Sequence, residues 1–440
     1  MLTREQNELL TQTDRGTPCG ELMRRYWQPV ALVEEVGADP LPVRILGEDL
    51  VLFRDDRGQL GLLGMHCSHR GVDLSYGRVE DGGLRCLYHG WLYDVRGRCL
   101  QQPGEPAGSD FCSKIQHLAY PVQQRAGMVF AYLGPGEPPL LPNYDFLAAD
   151  PDEEMLTLKI LQDCNYLQAL EGNLDQVHLS FLHRLEESAI KGTVIGQAAP
   201  EGTQRSNASL LAFDGAPRIE TEVTSFGMRE AVIRKAPEGS YLKVSNCGLP
   251  CFAAAVGSTI AQGGYLVNWH VPIDDRRHWK YVITFRRGAL DKDGVRFAFL
   301  GDSKILPDGS LTRNAANRYR QDRAELRGRT YAGLGTGFAV HDTWAVETAG
   351  TVFDRTVEHL GYEDKSVIAV RQMLLDAIQC LQRGEDPPHI IRRPEDNKVT
   401  DLVVIARVLP EDKPWSEAVQ EYIAAKQGEA ERELVGAETR

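Results

Sequence analysis

Four residues between positions 67 and 89 carry side chains that bind soft metal ions. Cys67 and His69 form a C-x-H pair, and Cys86 and His89 form a C-x-x-H pair after an interval of sixteen residues. Thiolates are the usual ligands of iron–sulfur clusters, and in one type of two-iron cluster two imidazoles replace the thiolates on one iron. Two loops that each offer a thiolate and an imidazole therefore predict such a cluster.

A structural zinc site is the alternative, because two cysteines and two histidines also suit tetrahedral Zn²⁺. Zinc sites commonly pair Cys with Cys and His with His, whereas each loop here offers one of each. Gly71, Gly77 and Gly90 lie close to the four ligands and supply the backbone freedom that packing around a cluster requires. The spacing favours the cluster over zinc.

A second array lies in residues 171–183, which read EGNLDQVHLSFLH. Asp175 and His178 are three residues apart on a predicted helix from 166 to 181, so the carboxylate can accept the imidazole N–H. His183 does not share that face, so the helix must loosen, bulge or end between the two histidines. Two histidines and one carboxylate suit a non-haem Fe(II) site with open positions; the alternative is two ordinary half-buried histidines.

Short apolar runs separated by turn residues predict antiparallel strands in residues 43–64, 84–100 and 127–134. A proline cluster follows and predicts a domain boundary near residue 150. We therefore expect a domain with the two-iron cluster and an N-terminal extension in residues 1–150. Residues 151–440 form the domain with the mononuclear iron.

The second domain combines strand and helix patterns. Residues 218–226, 265–273 and 278–287 cluster β-branched and aromatic residues at strand length, and residues 364–384 carry an apolar stripe at helical spacing. The fold class is therefore α+β, with an N-terminal all-β domain followed by an antiparallel sheet flanked by helices.

The composition limits the partners. A formal net charge of -13 disfavours nucleic acid and anionic membranes, whose binding depends on Lys and Arg. The first thirty residues contain no apolar leader segment, and the nine cysteines are an odd number that fits free thiols plus a metal site. We expect a cytoplasmic protein that binds neither nucleic acid nor a membrane.

The chain resembles the oxygenase α subunits of Rieske ring-hydroxylating systems, within them the phthalate dioxygenase-like branch that works without β subunits. The resemblance covers nearly the whole length, including GTPCGELMRRYWQPV, LEGNLDQVHLSFLH and HDTWAVETAGTVFDRTVEHLGYEDKSVI. Respiratory-chain Rieske proteins carry two further cysteines that bridge the loops, whereas this chain has Arg70, Gly71 and Tyr88 there. A lower-potential Rieske [2Fe-2S] centre is implied. Ser68 departs from the proline often found between the first Cys and His.

The resemblance also implies the remaining site residues. It makes Asp342, which Glu347 follows on a helix, the third ligand of the mononuclear iron beside His178 and His183. Glu347, Asp354 and Glu358 compete with Asp342 for that role.

The family further uses the acid at position 175 as an electron relay between subunits. Asp175 would link His178 to His89 of a neighbouring chain. The active unit would then be a cyclic homotrimer, or a hexamer of two stacked trimers.

The function implied is that of a terminal oxygenase. It would receive electrons from an NAD(P)H-dependent reductase, directly or through a ferredoxin, and use O₂ to dihydroxylate a small aromatic substrate, most simply an aromatic acid. A Rieske monooxygenase or O-demethylase acting on a methoxylated aromatic is the nearest alternative. An electron-transfer protein without the mononuclear iron is the rival from another class. Arg218, Arg229 and Arg234 could hold a substrate carboxylate, and the sequence does not choose among them.

Overall fold

The computed structural model describes residues 1–185, 199–257 and 263–438, with side chains described up to residue 428. Helices α1 (Arg4–Thr11) and α2 (Pro18–Met23) open the chain. Each helix follows a threonine that caps it. The Thr3 hydroxyl accepts the backbone N–H of Gln6, and the Thr17 hydroxyl accepts the backbone N–H of Gly20. These caps satisfy N–H groups that a helix start leaves without partners.

The N-terminal domain consists of three small antiparallel sheets, β1-β11-β10, β2-β3-β4-β9 and β5-β6-β7-β8. Their strands are β1 (Gln28–Leu32), β2 (Leu41–Ile45), β3 (Glu48–Arg54), β4 (Leu60–Gly64), β5 (Arg78–Glu80), β6 (Gly83–Arg85), β7 (Leu92–Tyr93), β8 (Cys99–Gln101), β9 (Ala119–Tyr120), β10 (Val122–Arg125) and β11 (Met128–Ala131). The second and third sheets each present one cysteine-containing loop, after β4 and after β6.

The C-terminal domain is built on one antiparallel sheet in the order β12-β18-β17-β16-β15-β14-β13, with β19 paired to β15. Its strands are β12 (Met155–Gln162), β13 (Arg218–Thr224), β14 (Gly227–Ala236), β15 (Gly239–Gly248), β16 (Phe252–Ala255), β17 (Gly264–Asp274), β18 (Arg277–Arg286) and β19 (Ile405–Leu409). The α-helices in the described part of this domain are α3 (Tyr166–Leu174), α4 (Asn207–Phe213), α5 (Lys292–Leu300), α6 (Phe338–Thr348), α7 (Lys365–Gln382) and α8 (Trp415–Glu438).

The largest group of buried apolar side chains continues from one half of the chain to the other. Phe130 of β11 packs against Trp269 of β17, with ring centroids 5.7 Å apart, and α2 lies against α7. The two halves are therefore in firm contact. Among the described residues, no helix is long and apolar enough to cross a bilayer.

The predicted α+β fold class is confirmed, and the predicted strands at 218–226, 265–273 and 278–287 correspond to β13, β17 and β18. The prediction of one helix from 166 to 181 was wrong beyond Leu174. Asp175 follows α3 in an extended conformation, and His178 begins a separate 3₁₀ turn that ends at Ser180. The Asp175 carboxylate accepts the backbone N–H groups of Val177 and His178, at 3.0 and 3.2 Å, and so stabilises the break.

Candidate metal centres and substrate cavity

The two cysteine-containing loops have the same backbone hydrogen bonds. Cys67 N–H donates to Val72 and Cys86 N–H donates to Trp91, while each cysteine carbonyl accepts the N–H of the glycine four residues later, at 2.8 and 3.0 Å. Those glycines, Gly71 and Gly90, have φ of +72° and +75°, a conformation that favours glycine. Matching loops thus present matching ligand pairs.

The four side chains predicted to hold the cluster lie together at the tips of these loops. The thiols of Cys67 and Cys86 are both 3% exposed, and burial raises the pKa of Cys86. The imidazoles of His69 and His89 are exposed, with ring centroids 4.4 Å apart. Two buried cysteines beside two adjacent exposed imidazoles match the ligand set that would hold a two-iron cluster through two thiolates and two imidazoles.

Neighbouring side chains hold these ligands in place. Trp91 stacks on the His69 ring, with centroids 4.6 Å apart and planes inclined by 6°. The Tyr93 hydroxyl lies 3.2 Å from the Cys67 sulfur and can donate a hydrogen bond to a thiolate there. Sequence reasoning did not single out Tyr93, although it lies only two residues beyond Trp91.

Ser68, the departure from the usual proline, has a partner in the structure. Its hydroxyl lies 2.7 Å from Nδ1 of His117, whose Nε2 lies 2.8 Å from the carbonyl oxygen of Gly64. Because that carbonyl only accepts, His117 Nε2 carries the proton and Nδ1 accepts from Ser68. This hydrogen bond ties the first ligand loop to the segment before β9.

The second constellation brings His178, His183 and Asp342 together from two distant parts of the chain. His183 Nε2 lies 3.0 Å from Asp342 Oδ1, and His178 Nε2 lies 3.9 Å from the same oxygen. Two atoms that each bind one metal at about 2.1 Å cannot lie more than about 4.2 Å apart. Both separations are compatible with one ion bound between these side chains.

The protonation states also suit a metal. Burial lowers the pKa of His183 to about 3, so its imidazole is neutral at pH 7 and has a free lone pair. Burial raises the pKa of Asp342, but Lys280 and His183 outweigh burial and keep that pKa well below its usual range. Lys280 Nζ lies 3.4 Å from Asp342 Oδ2 and leaves Oδ1 facing the histidines.

Asp175 contacts His178 on the side away from Asp342. Its Oδ2 lies 3.6 Å from His178 Nδ1, and 39% of its side chain is exposed. Burial raises the pKa of Asp175. The interactions with His178 and with the backbone N–H groups of Val177 and His178 lower that pKa by more, so the net shift is downward. Asp175 is therefore a partly exposed, ionised acid beside one of the two histidines.

The three competing carboxylates have other partners. Glu347 accepts hydrogen bonds from the Tyr319 hydroxyl and the Asp163 N–H, at 2.6 and 2.9 Å. Asp354 accepts from Thr356, and Glu358 pairs with Arg371. None of these three belongs to the cluster of potential metal ligands among the described residues.

A cavity opens beside His178 and Asp342. Its walls combine apolar and polar side chains, and the residues that contribute apolar surface include Leu179, Ala253, Ala255, Leu266, Phe299 and Phe338. Lys243 of β15 and Asn268 of β17 add polar groups to this lining. Lys243 is the only Lys or Arg among the described residues that line the cavity.

The three arginines considered from the sequence lie outside this lining. Arg218 pairs with Glu220 at the surface, and Arg229 pairs with Glu222. Arg234 is buried and donates to the backbone carbonyls of Asp214 and Gln176. Sequence reasoning missed Lys243, and the available signal was a single lysine within the apolar run YLKVSN of a strand.

Residues 26–121 match the family model described as Rieske [2Fe-2S] domain, and residues 131–435 match the model described as LigXa C-terminal domain like. The chain is 36% identical over 398 residues to the phthalate 4,5-dioxygenase oxygenase subunit of Pseudomonas putida, covering 88% of each chain. It is 30% identical over 434 residues to the 5,5'-dehydrodivanillate O-demethylase oxygenase subunit of Sphingobium sp., covering 98% of this chain and 91% of the relative.

Among solved structures, the chain is similar to the oxygenase of carbazole 1,9a-dioxygenase in its complex with ferredoxin and fluorene. The TM-score is 0.57 at 21% identity, and the match covers 87% of this chain and 98% of the other. This similarity supports the two-part fold described above.

Proposed function

The chain belongs to the Rieske terminal oxygenases, and we propose that it hydroxylates an aromatic carboxylate at a mononuclear iron held by His178, His183 and Asp342. We assign the [2Fe-2S] cluster to Cys67, His69, Cys86 and His89. When bound, the cluster supplies single electrons and the mononuclear iron activates O₂. The side chains of the chain position these groups, bind the substrate and exclude water.

The observation that carries the choice of an acid is the buried lysine in the cavity. Lys243 is 4% exposed, and its Nζ makes one polar contact among the described residues, a 3.5 Å approach to Gln176 Oε1. An ammonium group has three N–H donors, and a buried charge without partners is costly. A substrate carboxylate in the cavity would supply the missing charge and acceptors.

Two residues near Lys243, Asn268 and Glu230, also affect which ligand groups the cavity can bind. We call Lys243 the anchor of the substrate carboxylate. Asn268 is 7% exposed, and its Oδ1 accepts no hydrogen bond within the described residues, so this oxygen is available to a hydrogen-bond donor of the ligand rather than to its carboxylate. Glu230 is fully buried near Lys243, and burial raises its pKa to about 7. No carboxylate in the described ranges pairs with Lys243 within 4.0 Å, so Glu230 does not take the place of a ligand.

The test of the proposed function is product mass from a single turnover of the reduced protein with O₂. The panel pairs benzoates, phthalates and methoxylated aromatic acids with their neutral amides. We expect an acid to gain two oxygens and two hydrogens, as in formation of a cis-diol, while its amide reacts poorly. Turnover of the amides as fast as the acids would contradict the carboxylate assignment.

A second candidate is O-demethylation of a methoxylated aromatic acid, favoured by the 30% identity to the 5,5'-dehydrodivanillate O-demethylase subunit over nearly the whole chain. The same experiment separates the two candidates, because demethylation removes one CH₂ unit from the mass. Iron content separates both from a pure electron-transfer protein. Three irons per chain support an oxygenase, and two would contradict it.

Replacement of Lys243 by Met should weaken binding of the acid substrate. A charged hydrogen bond contributes about 1.5–3 kcal/mol, so KM for the acid should rise about 10- to 100-fold. KM for a reactive neutral analogue should change little. Lys235→Met, in the exposed part of β14, is the matched control and should leave both values unchanged. An unchanged KM for the acid in Lys243→Met would rule out the anchor.

Acid binding should also depend on pH. Burial and the nearby Arg234 lower the pKa of Lys243 to about 8. Lys243 is charged below this pKa and neutral above it, so 1/KM for a fully ionised acid should fall as pH rises through about 8. In Lys243→Arg the change at about pH 8 should be absent, because the guanidinium remains protonated, while any change caused by titration of Glu230 near pH 7 should remain.

We also propose that Asp175 relays electrons between chains of a trimer or of a stacked pair of trimers. His69 and His89 are exposed in the single chain and have Leu87 and Tyr88 beside them, 58% and 53% exposed. At the other site the Asp175 side chain is partly exposed, at 39%. Surface-accessible groups at the cluster loops and at Asp175 support an electron-transfer route that is completed when two chains associate.

The remaining partners follow from this assignment. We propose an NAD(P)H-dependent reductase, with or without a ferredoxin, as the electron donor. A cytoplasmic location would keep all nine cysteines out of disulfides, so that Cys67 and Cys86 can bind the cluster and the other seven remain free thiols. The net charge of -13 gives no support for nucleic-acid binding.

A further inference from the structure

The imidazole of His183 is contacted on three sides by residues of α6. Phe338 stacks on its face, with centroids 3.7 Å apart and planes inclined by 8°. His341 Nδ1 lies 3.2 Å from His183 Nδ1, and Asp342 Oδ1 lies 3.0 Å from His183 Nε2. Residues 338, 341 and 342 have the i, i+3, i+4 spacing that places side chains on one helix face. One face of α6 therefore defines the position of this ring.

The hydrogen bonds of His341 determine which nitrogen carries its proton. His341 Nε2 lies 2.8 Å from the carbonyl oxygen of Gly335, which can only accept, so Nε2 carries the hydrogen. In neutral His341 the other nitrogen, Nδ1, has a lone pair. Without a metal ion, the ionised Asp342 carboxylate can accept a hydrogen bond from His183 Nε2–H. When Nε2 binds the ion instead, His183 carries its proton on Nδ1 and donates it to His341 Nδ1, which lies 3.2 Å away.

This assignment has a direct consequence for His183. A neutral imidazole with its proton on Nδ1 has its lone pair on Nε2, the nitrogen that faces Asp342. The opposite tautomer would point an N–H at the metal position and could not bind a metal ion there. We propose that His341 is a positioning residue that selects the metal-binding tautomer of His183 and fixes the plane of its ring. This inference rests on the proposed assignment of His183 and Asp342 to the iron.

The two histidines of the site are thereby supported in different ways. His178 faces the carboxylate of Asp175, whereas His183 donates to an imidazole that carries no charge. Metal-binding histidines usually donate their second N–H to a carboxylate, a backbone carbonyl or water. His341 orients His183 without adding a second negative charge next to Asp342. It is 2% exposed, so water cannot easily replace it.

The test uses two amide variants that separate the two hydrogen-bonding roles of His341, acceptance at Nδ1 and donation from Nε2 to Gly335. His341→Asn keeps an acceptor near the position of Nδ1 and loses the contact with Gly335. His341→Gln reaches toward Gly335 and loses the acceptor near Nδ1. The measurement is the affinity of the mononuclear site for Fe(II) in the full protein, by competition with a chelator. Absorption of the [2Fe-2S] cluster and the thermal midpoint report folding of each variant.

Loss of such a supporting residue typically lowers metal affinity 10- to 100-fold. We therefore expect a loss of about this size in His341→Gln and in His341→Phe, and affinity close to wild type in His341→Asn. Wild-type affinity in His341→Gln would overturn the proposal, as would a loss confined to His341→Asn. His183→Ala is the reference for the iron assignment itself. If it retains iron, the proposed ligand set fails; if it loses iron while His341→Gln does not, only the role of His341 fails.

Discussion

Replacement of Asp342 by Ala should reduce the iron content from three to two per chain and leave the absorption of the cluster unchanged. Within the described part of the chain, Asp342 is the one carboxylate that lies beside both histidines, 3.0 Å from His183 and 3.9 Å from His178. Without it two imidazoles remain, and a site of that kind binds Fe(II) weakly. Product formation should fall more than about 1000-fold, because the residues of such a site act as a unit. Iron analysis and single-turnover product yield are the measurements.

The matched control is Glu347→Gln, on the same helix. Glu347 accepts hydrogen bonds from the Tyr319 hydroxyl and the Asp163 N–H, away from the histidines. The Glu347→Gln protein should therefore keep three irons per chain. Loss of iron in Glu347→Gln with retention in Asp342→Ala would reverse the assignment of the carboxylate ligand. Since Asp342→Ala leaves buried Lys280 without its partner, Asp342→Asn and the double variant with Lys280→Met should be measured as well. The same iron count in all three variants would exclude misfolding as the cause.

Replacement of Asp175 by Asn should leave three irons per chain and slow reoxidation of the cluster at least about 100-fold in a single turnover. Asn can still accept the backbone N–H groups of Val177 and His178, so the break after α3 should persist. What Asn removes is the negative charge 3.6 Å from His178 Nδ1 and the expected acceptor for a histidine of the next chain. Stopped-flow absorption of the reduced cluster, mixed with O₂ and substrate, measures this rate.

Asp354→Asn removes an exposed carboxylate that has no contact with either metal site and serves as the control for net charge. Its reoxidation rate should equal that of the unchanged protein. A normal rate in Asp175→Asn would eliminate the relay. Loss of the mononuclear iron in that variant would instead show that Asp175 serves to orient His178.

Lys280 and Lys243 illustrate why part of the site was beyond the sequence. Each is a single lysine inside an apolar strand, and the strand pattern predicts that a side chain points to one face without showing what covers that face. Only the assembled sheet places Lys280 against Asp342, sixty-two positions later, and Lys243 in the wall of the cavity. Arg218, Arg229 and Arg234 were equally reasonable candidates, and their actual partners are local acids or backbone carbonyls.

The course of the backbone around Asp175 was also not predictable from the local sequence pattern. Residues 166–181 contain no proline and many helix-forming residues, so a continuous helix was the natural prediction. The helix ends at Leu174 because the Asp175 side chain takes two backbone N–H groups that a continuing helix would direct to its own carbonyls. This competition between side chain and helix leaves little trace in composition.

The sequence by itself determined the kinds of metal ligand and the class of fold. A cluster bound through C-x-H and C-x-x-H loops needs those residue types at short spacing, so Cys67, His69, Cys86 and His89 can be read as local motifs, and so can His178 and His183. The family resemblance already named Asp342 as the carboxylate ligand, but only the tertiary structure shows that it faces those histidines, which cation lines the cavity and how His341 supports His183. Those choices depend on contacts between segments up to about 160 residues apart, and no local pattern encodes such contacts.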